Sequence, residues 1–325
     1  MNRPAVATPM EARLADALPE GAGWWFEPKW DGFRCLAFRD GGEVRLQAKS
    51  GKPLGRYFPE IVASLAGLAA KRFILDGELL VEMDGRFSFE ALQMRLHPSE
   101  TRIRRLAHDT PASLKLFDML MAPDGSDLRT RPFTTRRRAL EAFVRSLPPP
   151  SRLSLTAGTD QRAEAQAWLD DPAIEGVIAK ANGDPYLEGE RAMIKVKRQR
   201  TADCVVGGFR YGRDSPLVAS LLLGLYDDQG LLDHVGFTSG IAAADKPELT
   251  LRLEALRGEG FTGDRPGGPS RWSTERSSEW VPLKPELVVE VSFDHVTGGR
   301  FRHGTRLIRF RLDKAPGQCR MEQIG

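Results

Sequence analysis

The sequence predicts an α+β chain of two domains, a mixed core of strands and helices followed by a small β-barrel. Three observations predict it. The 325 residues exceed one small domain and suit either one large domain or two modest ones. From Trp24 to about Lys197, short apolar runs alternate with segments of helical spacing. After Lys197 the chain turns β-rich, with apolar runs separated by glycine turns and one helix among them.

Residues 33–38 and 43–47 read as two strands joined by a turn at Asp40, Gly41 and Gly42. Residues 58–68 have helical spacing, with Pro59 in the first turn, where its missing N–H costs nothing. Residues 73–82 and 114–120 read as buried strands. Residues 136–146 form an amphipathic helix that stops at Leu147, before Pro148, Pro149 and Pro150. A further helix covers 163–169, and short strands cover 176–180 and 192–196. In the second part, residues 204–211, 219–226, 231–237, 287–295 and 306–311 read as five strands, and 245–256 as a helix. Residues 258–270 hold five glycines and two prolines, the composition of a long surface loop and not of a core element. The boundary is placed after Arg198, giving domains 1–198 and 199–325 with a hinge at 198–201.

Apolar residues make up 41% of the chain and charged residues 28%, which suits a globular protein with a real core. The net charge of +3 conceals clustered arginine: Arg102, Arg104 and Arg105; Arg136, Arg137 and Arg138; Arg300, Arg302, Arg306, Arg309 and Arg311. Guanidinium groups suit bidentate phosphate contacts, so the clusters hint at nucleic acid, though any one of them alone reads more readily as a solvated face. Cys35, Cys204 and Cys319 lie far apart and form neither a zinc spacing nor a disulfide framework. Reduced thiols, no signal-peptide pattern in residues 1–9 and no apolar run long enough to span a bilayer together predict a soluble cytoplasmic protein. The five histidines form no metal-ligand spacing, and nothing demands more than a monomer.

The most informative segment is Glu27-Pro28-Lys29-Trp30-Asp31-Gly32-Phe33-Arg34. A lysine with an acid two residues on and a glycine after it places an amine and a carboxylate together at a strand edge. Segments further along the chain strengthen it. Leu75-Asp76-Gly77-Glu78-Leu79 puts two acids at the end of a buried strand, and Lys115-Leu116-Phe117-Asp118 puts an aromatic in another. Glu175-Gly176-Val177-Ile178-Ala179-Lys180 brackets a third strand with an acid and a lysine. Ile194-Lys195-Val196-Lys197 sets two lysines on one face, since side chains repeat every second residue. Arg309-Phe310-Arg311-Leu312-Asp313-Lys314 ends the set.

This ordered set resembles the signature of the covalent nucleotidyltransferases, the superfamily of DNA ligases, RNA ligases and mRNA capping enzymes. Within it, Glu27 to Gly32, the run Arg200-Thr201-Ala202-Asp203-Cys204-Val205-Val206 and the run from Arg300 to Arg306 are similar to bacterial ATP-dependent DNA ligases of the ligase C type, relatives of the ligase domain of ligase D. The resemblance implies a nucleotidyltransferase (ATP-grasp-like) core of antiparallel sheets with flanking helices, then an OB-fold barrel, with the nucleotide in the cleft between them. It implies that Lys29 attacks the α-phosphate of ATP and carries AMP, that Glu27 accepts a hydrogen bond from the adenine amine, and that Phe117 stacks on the base. Glu78 and Arg34 would contact the ribose or nearby phosphates, and Lys195 and Lys197 the α-phosphate. Glu175, with Glu78, would hold Mg2+ or Mn2+. Arg309, Arg311, Asp313 and Lys314 would orient the pyrophosphate. Lys49 stands where the family carries an arginine; it keeps the charge and loses the bidentate fork, with Lys52 or Arg56 nearby to compensate.

A free lysine has a pKa of about 10.4, so its amine is mostly protonated at neutral pH. Lys195, Lys197 and a divalent metal near Lys29 would disfavour the charged form and supply the nucleophile. The implied partner is nicked duplex DNA, gripped by its backbone without sequence readout, and the implied setting is repair, with Ku or a gap-filling polymerase as candidate partners. An RNA ligase, a capping enzyme and a catalytically silent binding module are the rival readings.

Overall fold

A computed structural model of the chain describes residues 7–171, 173–198, 200–267 and 279–324. Gln199, within the expected hinge, and residues 268–270, the end of the expected loop, lie outside the described residues. The chain divides into two compact units, Met1–Arg198 and Gln199–Gly325.

The first unit contains β1 (Ala12–Leu14), β2 (Trp24–Lys29), β3 (Phe33–Asp40), β4 (Glu43–Ala48), α1 (Pro59–Ala66), β5 (Arg72–Met83), β6 (Arg86–Phe87), α2 (Phe89–Gln93) and α3 (Glu100–Asp109). It continues with β7 (Ala112–Met121), α4 (Phe133–Arg145), β8 (Leu153–Leu155), α5 (Arg162–Asp170), β9 (Gly176–Ala181) and β10 (Met193–Lys197). Two sheets result. The larger has the order β4-β3-β5-β7-β8, with β6 on β5, and the smaller has the order β1-β10-β9-β2.

Alternation along the strands sorts side chains between three cores. On β3, Cys35 and Ala37 join the cluster that covers α1, α2 and α4, through Ile61, Leu65, Ala91, Leu92, Leu140 and Phe143. Leu36 and Phe38 point the other way, into a second cluster with Ile74, Leu120, Tyr186 and Met193. Phe26 of β2, Val177 and Ala179 of β9, and Ile194 and Val196 of β10 pack with Ala165 of α5 in a third. The opposite face of the smaller sheet therefore carries Glu27, Lys29, Ile178, Lys180, Met193, Lys195 and Lys197. Glu27, Lys29, Lys195 and Lys197, four of the polar residues singled out in the sequence, lie on that face by parity alone.

One irregularity matters. Gly77 pairs with Leu116 and Asp76 with Asp118, so Phe117 is the extra residue of a β-bulge in β7. Bulges re-aim a side chain, and this one sits beside the cavity described below. Helices α2 and α3 had no sequence expectation; α3 carries only a short apolar stripe, buried Ile103 with half-buried Leu106 and Ala107, and Ser99 caps its first turn.

The second unit contains β11 (Arg200–Tyr211), β12 (Val218–Tyr226), β13 (Leu232–Thr238), α6 (Lys246–Ala255), β14 (Val281–Pro282), β15 (Val288–Phe293), β16 (Val296–Thr297), β17 (Arg300–Phe301) and β18 (Arg306–Phe310). The five expected strands form one sheet in the order β13-β12-β11-β15-β18. It curls so that its edges meet at one bridge, where Thr305 N donates to Phe237 O at 2.9 Å and Thr238 Oγ1 donates to Thr305 O at 2.9 Å. Among the described residues that bridge is the only seam between β13 and β18, which makes this a partly open barrel of the OB type.

The expectation that residues 258–270 stay out of the core is overturned by Phe261, which is 1% exposed inside the barrel cluster. Gly207 on β11 and Gly224 on β12 make the room: a Cβ on either would press on the Phe261 ring, at 2.6 and 2.9 Å. No helix of the described residues is long and apolar enough to cross a membrane.

Phe261→Ala is expected to cost ~3–5 kcal/mol in urea denaturation. Leu251→Ala, on the exposed side of α6 at 74% exposure, should cost no more than about 0.5 kcal/mol. Equal midpoints for the two variants would show that the Phe261 ring is not part of the core.

Candidate active site

A cavity of about 250 Å³ opens between the two sheets of the first unit. Glu27, Lys29, Lys180, Met193 and Lys195 line it from the smaller sheet. Arg34, Glu78 and Phe117 line it from the larger one, with Lys49 just past the end of β4. Pro9, Met10, Glu11 and Ala12 add an N-terminal wall.

Lys29 ends β2, and its Nζ is ion-paired with Glu175, whose side chain is 8% exposed. The other Glu175 oxygen lies 3.3 Å from Lys197 Nζ. Burial, then Lys197, Lys29 and Lys49, hold the Lys195 amine below the usual lysine range. Lys29 and Lys197 thus share one carboxylate with Lys195 close by, leaving a surplus of positive charge that suits a polyphosphate. Gly32 belongs to the same build: a Cβ there would collide with Leu79 O, so only glycine lets the chain after Lys29 run this close to β5.

Glu27 is 2% exposed. Its oxygens lie 2.7 Å from Lys180 Nζ and 3.2 Å from Arg137 Nη1. Lys180 Nζ also donates to Phe117 O at 2.8 Å. The cluster Arg136–Arg138 is therefore mostly not a phosphate-facing surface: Arg136 is buried on Asp118 and Arg137 on Glu27, and only Arg138 is exposed. Arg102, Arg104 and Arg105 are the exposed face of α3, with Arg104 paired to Glu100.

Arg34 forks onto fully buried Asp76, Nε to Oδ1 at 2.6 Å and Nη2 to Oδ2 at 2.7 Å, and lies 4.6 Å from the centre of the Phe117 ring. Tyr186 Oη donates to Asp76 Oδ2 at 2.6 Å and accepts from Met10 N at 2.9 Å, while Arg34 Nη2 donates to Met10 O at 3.1 Å. Two of the three Arg34 nitrogens are thus committed to the cavity wall. Lys49, exposed at the rim, pairs with Glu11 at 3.1 Å, and this contact holds the Glu11 carboxyl below its ordinary range. Glu78 is the opposite case: burial pushes its carboxyl up to about 8, against the opposing pull of Arg34 and Lys29.

Arg309, Arg311, Asp313 and Lys314 lie on the second unit, tied within it. Arg309 pairs with Glu290 at 2.7 Å. Arg311 Nη1 reaches both oxygens of Asp203, at 2.9 and 3.0 Å, and Lys314 Nζ reaches Asp203 at 2.6 Å. Asp313, held by Arg311, is pulled down to about 2. Asp203 anchors this group, a role that the sequence reading did not assign.

Sequence reasoning missed the positions that hold the named residues in place. Lys180 was visible in the Glu175 to Lys180 run but received no role. Met10, Glu11 and Tyr186 carried no signal, and Arg137 was read only as part of an arginine cluster, since its pairing with Glu27 and that of Met10 with Tyr186 span more than a hundred residues of chain.

Glu78 yields a pH test. Its folded carboxyl titrates above that of the unfolded chain, so stability is lost as pH rises through the interval from the ordinary carboxylate range to about 8. In EDTA, Glu78→Gln should raise Tm little at pH 5 and by on the order of 3 °C or more at pH 9. A Tm difference that is constant across this range would contradict the burial assigned to Glu78.

The chain as a whole is similar to known proteins. Residues 4–197 match the family model of the ATP dependent DNA ligase domain, and residues 214–314 that of the ATP dependent DNA ligase C terminal region. DNA ligase C1 of Mycolicibacterium smegmatis is 41% identical, covering 98% of this chain and 94% of its own. DNA ligase C of Mycobacterium tuberculosis is 39% identical, covering 98% and 93%. The solved ligase domain from M. tuberculosis LigD is 29% identical with a TM-score of 0.50, covering 96% of this chain and 97% of that one. Mycobacterial DNA ligase D complexed with ATP and MES is 28% identical with the same TM-score and coverage. The two matched regions take in both units, and the chain belongs to the ATP-dependent DNA ligases.

Proposed function

We propose that the protein seals nicks in duplex DNA through an AMP–lysine intermediate on Lys29. The observation that carries the reading is the pairing of Lys29 and Lys197 with Glu175, with Lys29 and Lys195 at the wall of a cavity that also holds Glu27 and Phe117. In this reading the purine lies against Phe117 with its amine on Glu27, and the α-phosphate lies among the lysines. Lys29 Nζ leaves Glu175, gives up its proton to solvent and attacks phosphorus. The P–N bond forms as the bond to the β-phosphate oxygen breaks and pyrophosphate departs. The AMP then passes to a 5′-phosphate, and a 3′-hydroxyl displaces it. Arg34, held by Asp76, orients Phe117 and the ribose side of the cavity, and Lys49 contributes charge at the rim.

Glu175 and Glu78 are the carboxylates that would hold Mg2+ or Mn2+, whose charge would stabilise that building on the phosphates. The fit rests on hard oxygen donors, Glu175 and the half-buried Glu78 on the cavity wall. Arg309, Arg311, Asp313 and Lys314 would orient the pyrophosphate once released from Glu290 and Asp203. The domain assignment in this reading is adenylyltransferase for 1–198 and OB-fold for 199–325. The biological setting that fits is DNA repair in the cytoplasm, with Ku or a repair polymerase as partner and the ligase acting as a monomer.

The test is sealing of a labelled nicked duplex. Lys29→Ala should abolish it, and Lys195→Ala or Lys197→Ala should each lower kcat by on the order of 10²-fold. Sealing should weaken steeply with salt and remain indifferent to the sequence flanking the nick. Sealing by Lys29→Ala at the wild-type rate would end this reading.

A further inference from the structure

Glu27 is an unusual base-recognition group because it is almost sealed from water and yet is a carboxylate. A carboxylate so placed persists only if cations compensate it, and the two that do so lie on separate elements. Lys180 of β9 is 3% exposed, and Arg137 of α4 is 7% exposed. The remaining charge that bears on Glu27 is Asp118 of β7, itself held by Arg136 of α4.

We propose that Lys180, with Arg137, is a positioning pair that makes the cavity take a 6-amino purine and refuse a 6-oxo purine, by fixing Glu27 in place as a hydrogen-bond acceptor. The inference deepens the function proposed above and rests on it.

The geometry argues it in three steps. First, each Glu27 oxygen faces its own cation, Oε2 towards Lys180 and Oε1 towards Arg137, so the carboxylate is held at two points and cannot swing. An ionised carboxylate offers about four lone-pair positions, so acceptor capacity remains for a ligand in the cavity. Second, Lys180 Nζ reaches further: it donates to Phe117 O and lies 4.9 Å from the Phe117 ring centre. One ammonium thus sets the spacing between the group that reads the purine edge and the ring that takes its face. Third, Arg137 is immobilised in turn, with Nη2 on Thr156 O at 3.0 Å and Nε on Glu141 at 2.8 Å.

The chemistry follows from donor and acceptor identity. A 6-amino group donates to a fixed carboxylate, whereas a 6-oxo group places oxygen against oxygen. A 6-oxo purine also carries an N1–H, so a carboxylate free to shift, or one that has taken a proton, would accommodate it. Burial pushes the Glu27 carboxyl up, and Lys180 and then Arg137 are the charges that push back. Losing Lys180 therefore releases both constraints, position and ionisation.

The test uses the full chain with ATP and ITP, and reads the nucleotidyl adduct on Lys29 by initial rate and intact mass. Wild type should prefer ATP. In Lys180→Met the ATP-to-ITP ratio of kcat/KM should fall by on the order of tenfold or more, with the loss for ATP in KM more than in kcat. Lys180→Arg, which restores the charge, should recover most of the ratio. Should Lys180→Met fail to fold by circular dichroism, Arg137→Met carries the same expectation. An unchanged ATP-to-ITP ratio in the folded variant, or a wild type that does not discriminate, overturns the proposal. No adduct on wild type with either nucleotide would instead sink the ligase reading itself, so the two failures are distinguishable.

Discussion

Two buried carboxylates, Glu27 and Asp76, set the shape of the cavity, because each survives out of water only with its cations fixed on it. Asp76 holds Arg34 by a two-point fork and Tyr186 by a hydroxyl, and through both it ties down Met10 and the segment that walls the site. Glu27 holds Lys180 and Arg137, and through Lys180 the bulged strand that carries Phe117. Removing one partner from either set would leave an uncompensated buried charge, so the ring, the acceptor and the N-terminal wall stand or fall together. The rigidity of the recognition end contrasts with the lysine end, where Lys29 and Lys197 share one carboxylate that a phosphate can displace.

This division suits a two-stage chemistry. In the proposed chemistry a base must be held still, whereas the nucleophile must change partners, from Glu175 to phosphorus. Glu78 stands between the two regimes, buried enough to be pushed up to about 8 and still beside cations. In the second unit Asp203 plays a comparable part, gathering Arg311 and Lys314 on its own oxygens, so these side chains must exchange one anion for another before they can act elsewhere.

Much of this was legible in the sequence where strand parity and turn chemistry speak. The hairpin of β3 and β4 follows from alternation and from Gly41, whose φ of 58° supplies the turn. The parity of β9 and β10 alone separates Lys180, Lys195 and Lys197 from the apolar residues behind them. Other features were hidden for identifiable reasons. Pro28 argues against a strand at β2, yet β2 is an edge of its sheet, where a missing N–H is tolerated. The three residues of β1 have no pattern of their own and are fixed by parallel pairing with a strand far along the chain. The bulge that aims Phe117 is a register property of two strands and exists in neither alone. Phe261 sits in a glycine-rich segment that reads as loop, and the space it fills is created by glycines on other strands. The charged partners of Glu27 and Asp76 were named in the sequence without their pairing, since ion pairs between distant residues leave no local trace.

The central claim is that Lys29 is a nucleophile in a site built for a nucleoside phosphate, and intact mass tests it most directly. Wild type and Lys29→Ala are stripped with pyrophosphate, then incubated with ATP and Mg2+ or Mn2+. A gain of one AMP on wild type alone is the predicted result. No adduct on wild type with either metal, or an equal adduct on Lys29→Ala, would contradict the account.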